Sequence, residues 1–332
     1  MRILINKFIS VNVLSFNYLS IGLIMEVNSL KQITSISELK IDGLKKQYIQ
    51  RVIHLISKHF SNSVIRLGVF GSVARGTADE FSDVDLIIVY KDNITKIDHK
   101  NMVIKFLSLE RQFSYQLGNK SFDNSFLRSI LHITGMFRSI FLVSETNWKN
   151  EKFKEIFNLG PFINIIAPKR LVFSSVILDL KWIQINEKSF LETRLFKNYS
   201  LKKLNKLTNP KIFWIEWIRS YITAQLLSLG AFFITPFFEE STKFSIEAVK
   251  WSLNSFILLY KIKTLSVKDY SFLKINNDYL FKILEEKLNL QEFSGLRSNY
   301  YRNPKLNFLA MGKILKVFSS FNNLTKNLQH II

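Results

Sequence analysis

The chain has 332 residues, no cysteine, 46 Lys and Arg against 26 Asp and Glu, and a 47% hydrophobic content that includes 30 Phe. That composition excludes intrinsic disorder, a disulfide scaffold, thiolate metal sites and a cysteine nucleophile. The histidines (His54, His59, His99, His132, His330) form no i,i+4 pair, which excludes a zincin-type helix. Both halves are basic, with 19 cationic against 12 acidic side chains in 1–150 and 27 against 14 in 151–332. A field of that sign suits polyanions such as nucleoside triphosphates, nucleic acid or anionic lipid, and equally follows from a general over-use of Lys, Ile, Asn and Phe.

Residues 1–40 read as an N-terminal extension of uncertain status. The uncharged stretch 8–25 follows Arg2 and Lys7 in rough signal-peptide order, yet Ser and Asn interrupt it and Met25 offers an alternative start. From Asp42 as N-cap, Leu44, Tyr48, Val52 and Ile56 predict a helix over 43–60. VIRLGVF (64–70) predicts a strand closed by Gly71-Ser72, and DVDLIIVY (83–90) a second strand. Residues 97–118 carry helical spacing, and MFRSIFLVSE (136–145) reads as a third strand. This order describes a small α/β domain over 41–185. Periodic stretches at 169–182, 211–232, 244–260, 277–289 and 307–325 follow, with strand alternation almost confined to WIQI (182–185). They predict a mostly α-helical domain over 186–332. The uncharged 220–238 approaches bilayer-spanning length, but its polar residues and Pro236 favour a core helix. A cytoplasmic protein without membrane partners is therefore expected.

The chemistry concentrates in GSVARGTADEFSDVDL (71–86). Gly71 and Gly76 have P-loop spacing, but Thr77-Ala78 stands where the P-loop Lys-Ser/Thr belongs, and no GxGxxG is present. Asp83 and Asp85, two apart on a strand, share a face while Val84 and Leu86 take the core side. Two like charges about 7 Å apart along a strand call for a cation between them, and Mg²⁺ favours one or two carboxylates plus phosphate oxygens. Gly71 and Ser72 can present backbone N–H groups and a hydroxyl to a phosphate, with Arg75 in reach of a triphosphate tail. Metal-assisted in-line displacement at an α-phosphorus follows as the chemistry. The same residues also admit a plain alternative: an ordinary turn and two exposed acids where a strand begins.

Gly-Ser, ten residues, then Asp-Val-Asp-Leu opening an apolar strand resembles the DNA polymerase beta-type nucleotidyltransferase superfamily. The finer GSxARG…SDxDL is similar to its minimal members, the aminoglycoside nucleotidyltransferases and protein-adenylylating antitoxins. The resemblance covers about residues 60–145. It implies an α/β nucleotidyltransferase domain, a small mixed sheet with flanking helices, followed by a helical bundle over the acceptor side. It also implies Gly71 and Ser72 as nucleotide-binding residues, beside the Arg75 read above, Asp83 and Asp85 as the catalytic metal pair, two Mg²⁺ ions, and an NTP (ATP foremost) as substrate. The acceptor is a small molecule, a protein or an RNA end. The superfamily's third carboxylate has no counterpart inside 136–145. Glu145 at its end is the candidate, beside Asp179 between Leu178 and Leu180, and Glu110, which reads as solvated helix surface. Either Glu145 fills the role, or the enzyme manages with two acids, or activity is lost and the chain is a nucleotide-binding regulatory or antitoxin-like protein. The acid-free basic run 193–215, with Phe196 and Tyr199, and the stretch 298–305 keep open an RNA-directed, tail-adding transferase. Glu247 could serve as general base for an acceptor hydroxyl.

Overall fold

The computed structural model describes residues 33–41, 43–78, 82–114, 139–157, 161–185, 205–236, 241–264, 283–290, 304–321 and 323. Asp42 and the greater part of the N-terminal extension lie outside them, as do residues 115–138, 186–204 and 291–303.

Five strands form one mixed sheet in the order β1-β5-β2-β3-β4: β1 (Ile33–Thr34), β2 (Val64–Phe70), β3 (Asp85–Tyr90), β4 (Ile140–Ser144) and β5 (Lys181–Ile183). β2 is central because VIRLGVF is almost wholly apolar, the pattern of a strand buried on both faces. It runs antiparallel to β3 with Phe70 opposite Asp85, and antiparallel to β5 with Val69 opposite Lys181. The end of β2 and the start of β3 therefore share one edge of the sheet. β4 runs parallel to β3, with Tyr90 opposite Ser144.

One face of the sheet buries Leu67, Val69, Leu86 and Ile88 against α1 (Gly43–Leu55) and α3 (Lys96–Ser114), through Tyr48, Val52, Met102 and Phe106 among others. The other face buries Ile87, Val89 and Trp182 against Trp148, Phe173 and Val176. These come from α4 (Glu145–Lys149) and α7 (Lys169–Asp179), joined by α5 (Phe153–Phe157) and α6 (Pro161–Ile166). Alternation along β3 thus splits Asp85 and Ile87 from Leu86 and Ile88, and just before the strand Asp83 is half-buried while Val84 is fully buried.

The strand alternation read at 182–185 is β5 (Lys181–Ile183), and it sits inside the sheet, between β1 and β2. Glu110 is buried rather than solvated. One carboxylate oxygen accepts the Ser139 backbone N–H at 2.7 Å and the Ser139 hydroxyl at 3.1 Å, fixing the approach to β4. Its position four residues after Phe106 places it on the apolar face of α3.

The helical half packs α8 (Pro210–Ile234), α9 (Thr242–Thr264) and α10 (Pro304–Ser319) around Phe213, Leu253, Phe256, Ile314 and Phe321. Among the described residues no helix is long and apolar enough to cross a membrane. α8 is only half a core helix: Ser220, Ala224, Ser228 and Ala231 are buried, while Ile218, Ile222 and Phe233 are exposed.

α8 holds α7 through one buried carboxylate. Glu216 is fully buried and accepts the backbone N–H groups of Arg170 (3.1 Å) and Leu171 (3.4 Å), with Arg170 Nη1 at 3.3 Å. It caps α7 from another helix, as Pro168 at the N-cap supplies no side-chain bond. Glu216→Ala is expected to cost about 2–4 kcal/mol, because orphaned buried donors and an uncompensated cation cost more than a surface contact. Urea denaturation checks this; a change below about 0.5 kcal/mol would put it in the range of an ordinary surface substitution.

Candidate active site

The chain reverses at Phe70 and enters α2 (Gly71–Arg75) with Gly71 at φ +71°. That left-handed value is open to glycine and costly for other residues. A Cβ built on Gly71 would lie 2.6 Å from Asp85 Oδ2, so the bend and the carboxylate are in direct apposition. Ser72 follows in α2, and its carbonyl accepts the Thr77 N–H at 3.0 Å; Gly76, at φ +76°, closes the turn. Asp83 and Asp85 fall on the same side of the extended chain, each half-buried, with Val84 and Leu86 fully buried between and beyond them.

Electrostatics tie further residues to this edge. Burial pushes the Asp85 carboxyl well above the usual carboxylate range, and the charge of Asp83 pushes it the same way. Arg75 opposes the rise, while Glu247 and Asp179 add to it. Arg75 pairs with Asp179 through Nη1 and Oδ2. Burial also raises Asp179, against the pull of Arg75 and Lys181. Asp179 is the last residue of α7, two residues before Lys181, which pairs with Val69 near the end of β2. It therefore reaches the same edge as Gly71 and Asp85.

Glu145 does not. Because β4 is parallel to β3, its far end lies beside Tyr90, five residues along β3 from Asp85, or about 17 Å at strand rise. There Glu145 opens α4, pairs with Lys149, and is followed by Thr146, whose hydroxyl donates to Asp92 at 2.7 Å. Glu145, expected as a possible metal ligand, thus lies at the opposite end of β3 from Asp85. Asp179 was visible in the sequence as an acid between two leucines. What concealed it was its place on a helix, since only pairing of β5 with β2 brings that helix end to the site.

A divalent cation fits this donor set chemically, since the donors are the carboxylate oxygens of two like charges. Among the described residues no group of three or more His, Asp or Glu side chains is gathered as a cage. Two carboxylates are nonetheless the share of ligands that proteins commonly give Mg²⁺, with phosphates and water completing its shell. Of the basic run 193–215, residues 193–204 lie outside the described residues, and Lys211 is exposed in the first turn of α8. In 298–305, only Pro304 and Lys305 are described.

Residues 49–134 match the protein family described as nucleotidyltransferase domain. The chain carries a nucleotidyltransferase domain. The matched span runs from α1 through β2, α2, β3 and α3, and so includes Gly71, Ser72, Arg75, Asp83 and Asp85. β4, β5, Asp179 and the helical half lie beyond it. The chain is also 31% identical over 81 residues to a Methanocaldococcus jannaschii protein bearing the name of a protein adenylyltransferase. That similarity covers 24% of this chain and 51% of the relative, so the chain spans about half the length of the curated relative it matches.

Proposed function

We propose that the nucleotidyltransferase domain moves a nucleoside monophosphate from an NTP, ATP foremost, to an acceptor hydroxyl, releasing pyrophosphate. The observation that carries the reading is the apposition of the Gly71 bend to Asp85, with Asp83 on the same side of the chain. In this reading Gly71 and Ser72 receive the phosphates at a point where no side chain intervenes, and Arg75 pairs with the triphosphate tail. Asp83 and Asp85 would hold Mg²⁺, which when bound neutralises charge on the phosphate oxygens. The acceptor oxygen bonds to the α-phosphorus and the α–β phosphoanhydride bond breaks, the electron pair leaving with pyrophosphate. Glu247, within electrostatic reach of Asp85, is the candidate to take the hydroxyl proton. Asp179 is the third acid in place of Glu145. The relative's name makes a protein side chain the first acceptor to test.

Incubation with Mg²⁺ and α-labelled ATP in the presence of cell extract is expected to release pyrophosphate and label an acceptor. Nucleotide binding without turnover would instead support a regulatory protein on this fold. Label in RNA, with affinity falling steeply as salt rises, would support the tail-adding alternative. Within the site, Asp179→Asn is expected to lower the transfer rate about 10- to 100-fold, one to three kcal/mol of transition-state stabilisation. Glu145→Gln should leave it unchanged. Equal rates for Asp179→Asn and the wild type would remove Asp179 from the site.

A further inference from the structure

Large apolar side chains that the described residues leave exposed concentrate on α8 and α10. On α8, Ile218, Ile222, Leu229 and Phe233 stand at i, i+4, i+11 and i+15, one face of a helix. It lies opposite the buried Ser220, Ala224, Ser228 and Ala231. The Gln225 side-chain amide donates to the Met311 carbonyl at 2.9 Å, which brings α10 alongside and extends the face with Phe308 and Leu315. From Ser220 to Thr235 the helix has no charged residue, in a chain of net charge +20.

The area is large. Ten such side chains on the two helices are 36–66% exposed. At roughly 200 Å² for a large side chain they open on the order of 1,000 Å². That exceeds the roughly 300–600 Å² of the largest patch on a typical monomer and matches the roughly 800 Å² each partner gives a standard interface.

We propose that this face is a twofold interface between two copies of the chain, α8 packing antiparallel on α8. A twofold axis sets the same patch against itself, so each apolar residue meets another. Two chains this basic repel unless they meet across a neutral surface, and the 220–235 span is neutral. A polyanionic partner gains nothing from an uncharged face.

Ile222 is the middle residue of α8, near the proposed axis, and the absence of cysteine makes it a clean reporter. Ile222→Cys is expected to form a disulfide-linked dimer under mild oxidation, while Lys46→Cys, at an exposed position of α1, does not. By sedimentation at micromolar concentration the full chain should have twice the monomer mass, undiminished by high salt. Ile218→Asp combined with Phe233→Asp should be monomeric with an unchanged melting temperature. A double variant that remains dimeric overturns the proposal, as does a wild-type monomer. A monomer that floats with phosphatidylcholine vesicles assigns the face to lipid, and one that does not assigns it to another segment of the same chain.

Discussion

Asp83→Asn or Asp85→Asn is expected to lower metal-dependent nucleotidyl transfer by at least about a thousandfold, with circular dichroism unchanged. The size follows from what the pair would supply: several kcal/mol of charge stabilisation at the phosphates, each 1.4 kcal/mol being about tenfold in rate. The fold survives because the apolar side chains between and beyond the two acids, Val84, Leu86 and Ile88, supply the packing there. Asp85→Asn should in fact melt higher than the wild type in chelator at neutral pH. The folded protein raises the Asp85 carboxyl, so it binds that proton more tightly than the unfolded chain does. The group's contribution to stability is therefore complete below the unfolded value of about 4. It declines as pH rises from there through the raised folded value. The gap between variant and wild type should accordingly close on acidification below about pH 4. Transfer retained in either variant, or a gap that widens in acid, would sink the assignment.

Gly71→Ala is expected to be the most damaging single-methyl change in the site. Alanine at φ +71° costs about 1–2 kcal/mol from backbone sterics alone. Its methyl would also stand 2.6 Å from Asp85 Oδ2, closer than a real Cβ approaches a heavy atom, so the carboxylate or the bend must move. Misplacing a reacting group by about 1 Å costs on the order of a hundredfold in rate. Denaturant titration and the transfer assay read the two effects separately. Gly43→Ala is the control, since no atom lies within 4 Å of its added methyl. A Gly71→Ala enzyme as fast as the Gly43→Ala one would mean that the bend does not set the Asp85 position.

How much of this was legible beforehand depended on whether the signal was local. β2 is found at 64–70 as its mostly apolar run predicts, and α8, α9 and α10 lie where helical spacing placed them, because period and burial are written in neighbouring residues. The side shared by Asp83 and Asp85 was likewise readable from a two-residue period. β1 was not, since two residues carry no period, and β5 showed its alternation but not its place between β1 and β2. Glu110 and Glu216 were missed for another reason. A buried acid betrays itself only through the distant backbone donors it satisfies, here Ser139 in one case and Arg170 with Leu171 in the other.

The order of residues along one stretch, 71–86, determined the bend, the paired acids and the apolar strand behind them, since each depends on backbone geometry within a few positions. Which further acid lies at that edge of the sheet was decided only in three dimensions. Parallel pairing of β4 with β3 carries Glu145 to the far edge, and antiparallel pairing of β5 with β2 returns Asp179 to the near one. Strand direction is a property of the whole sheet, set by what each face must bury, and no single segment encodes it.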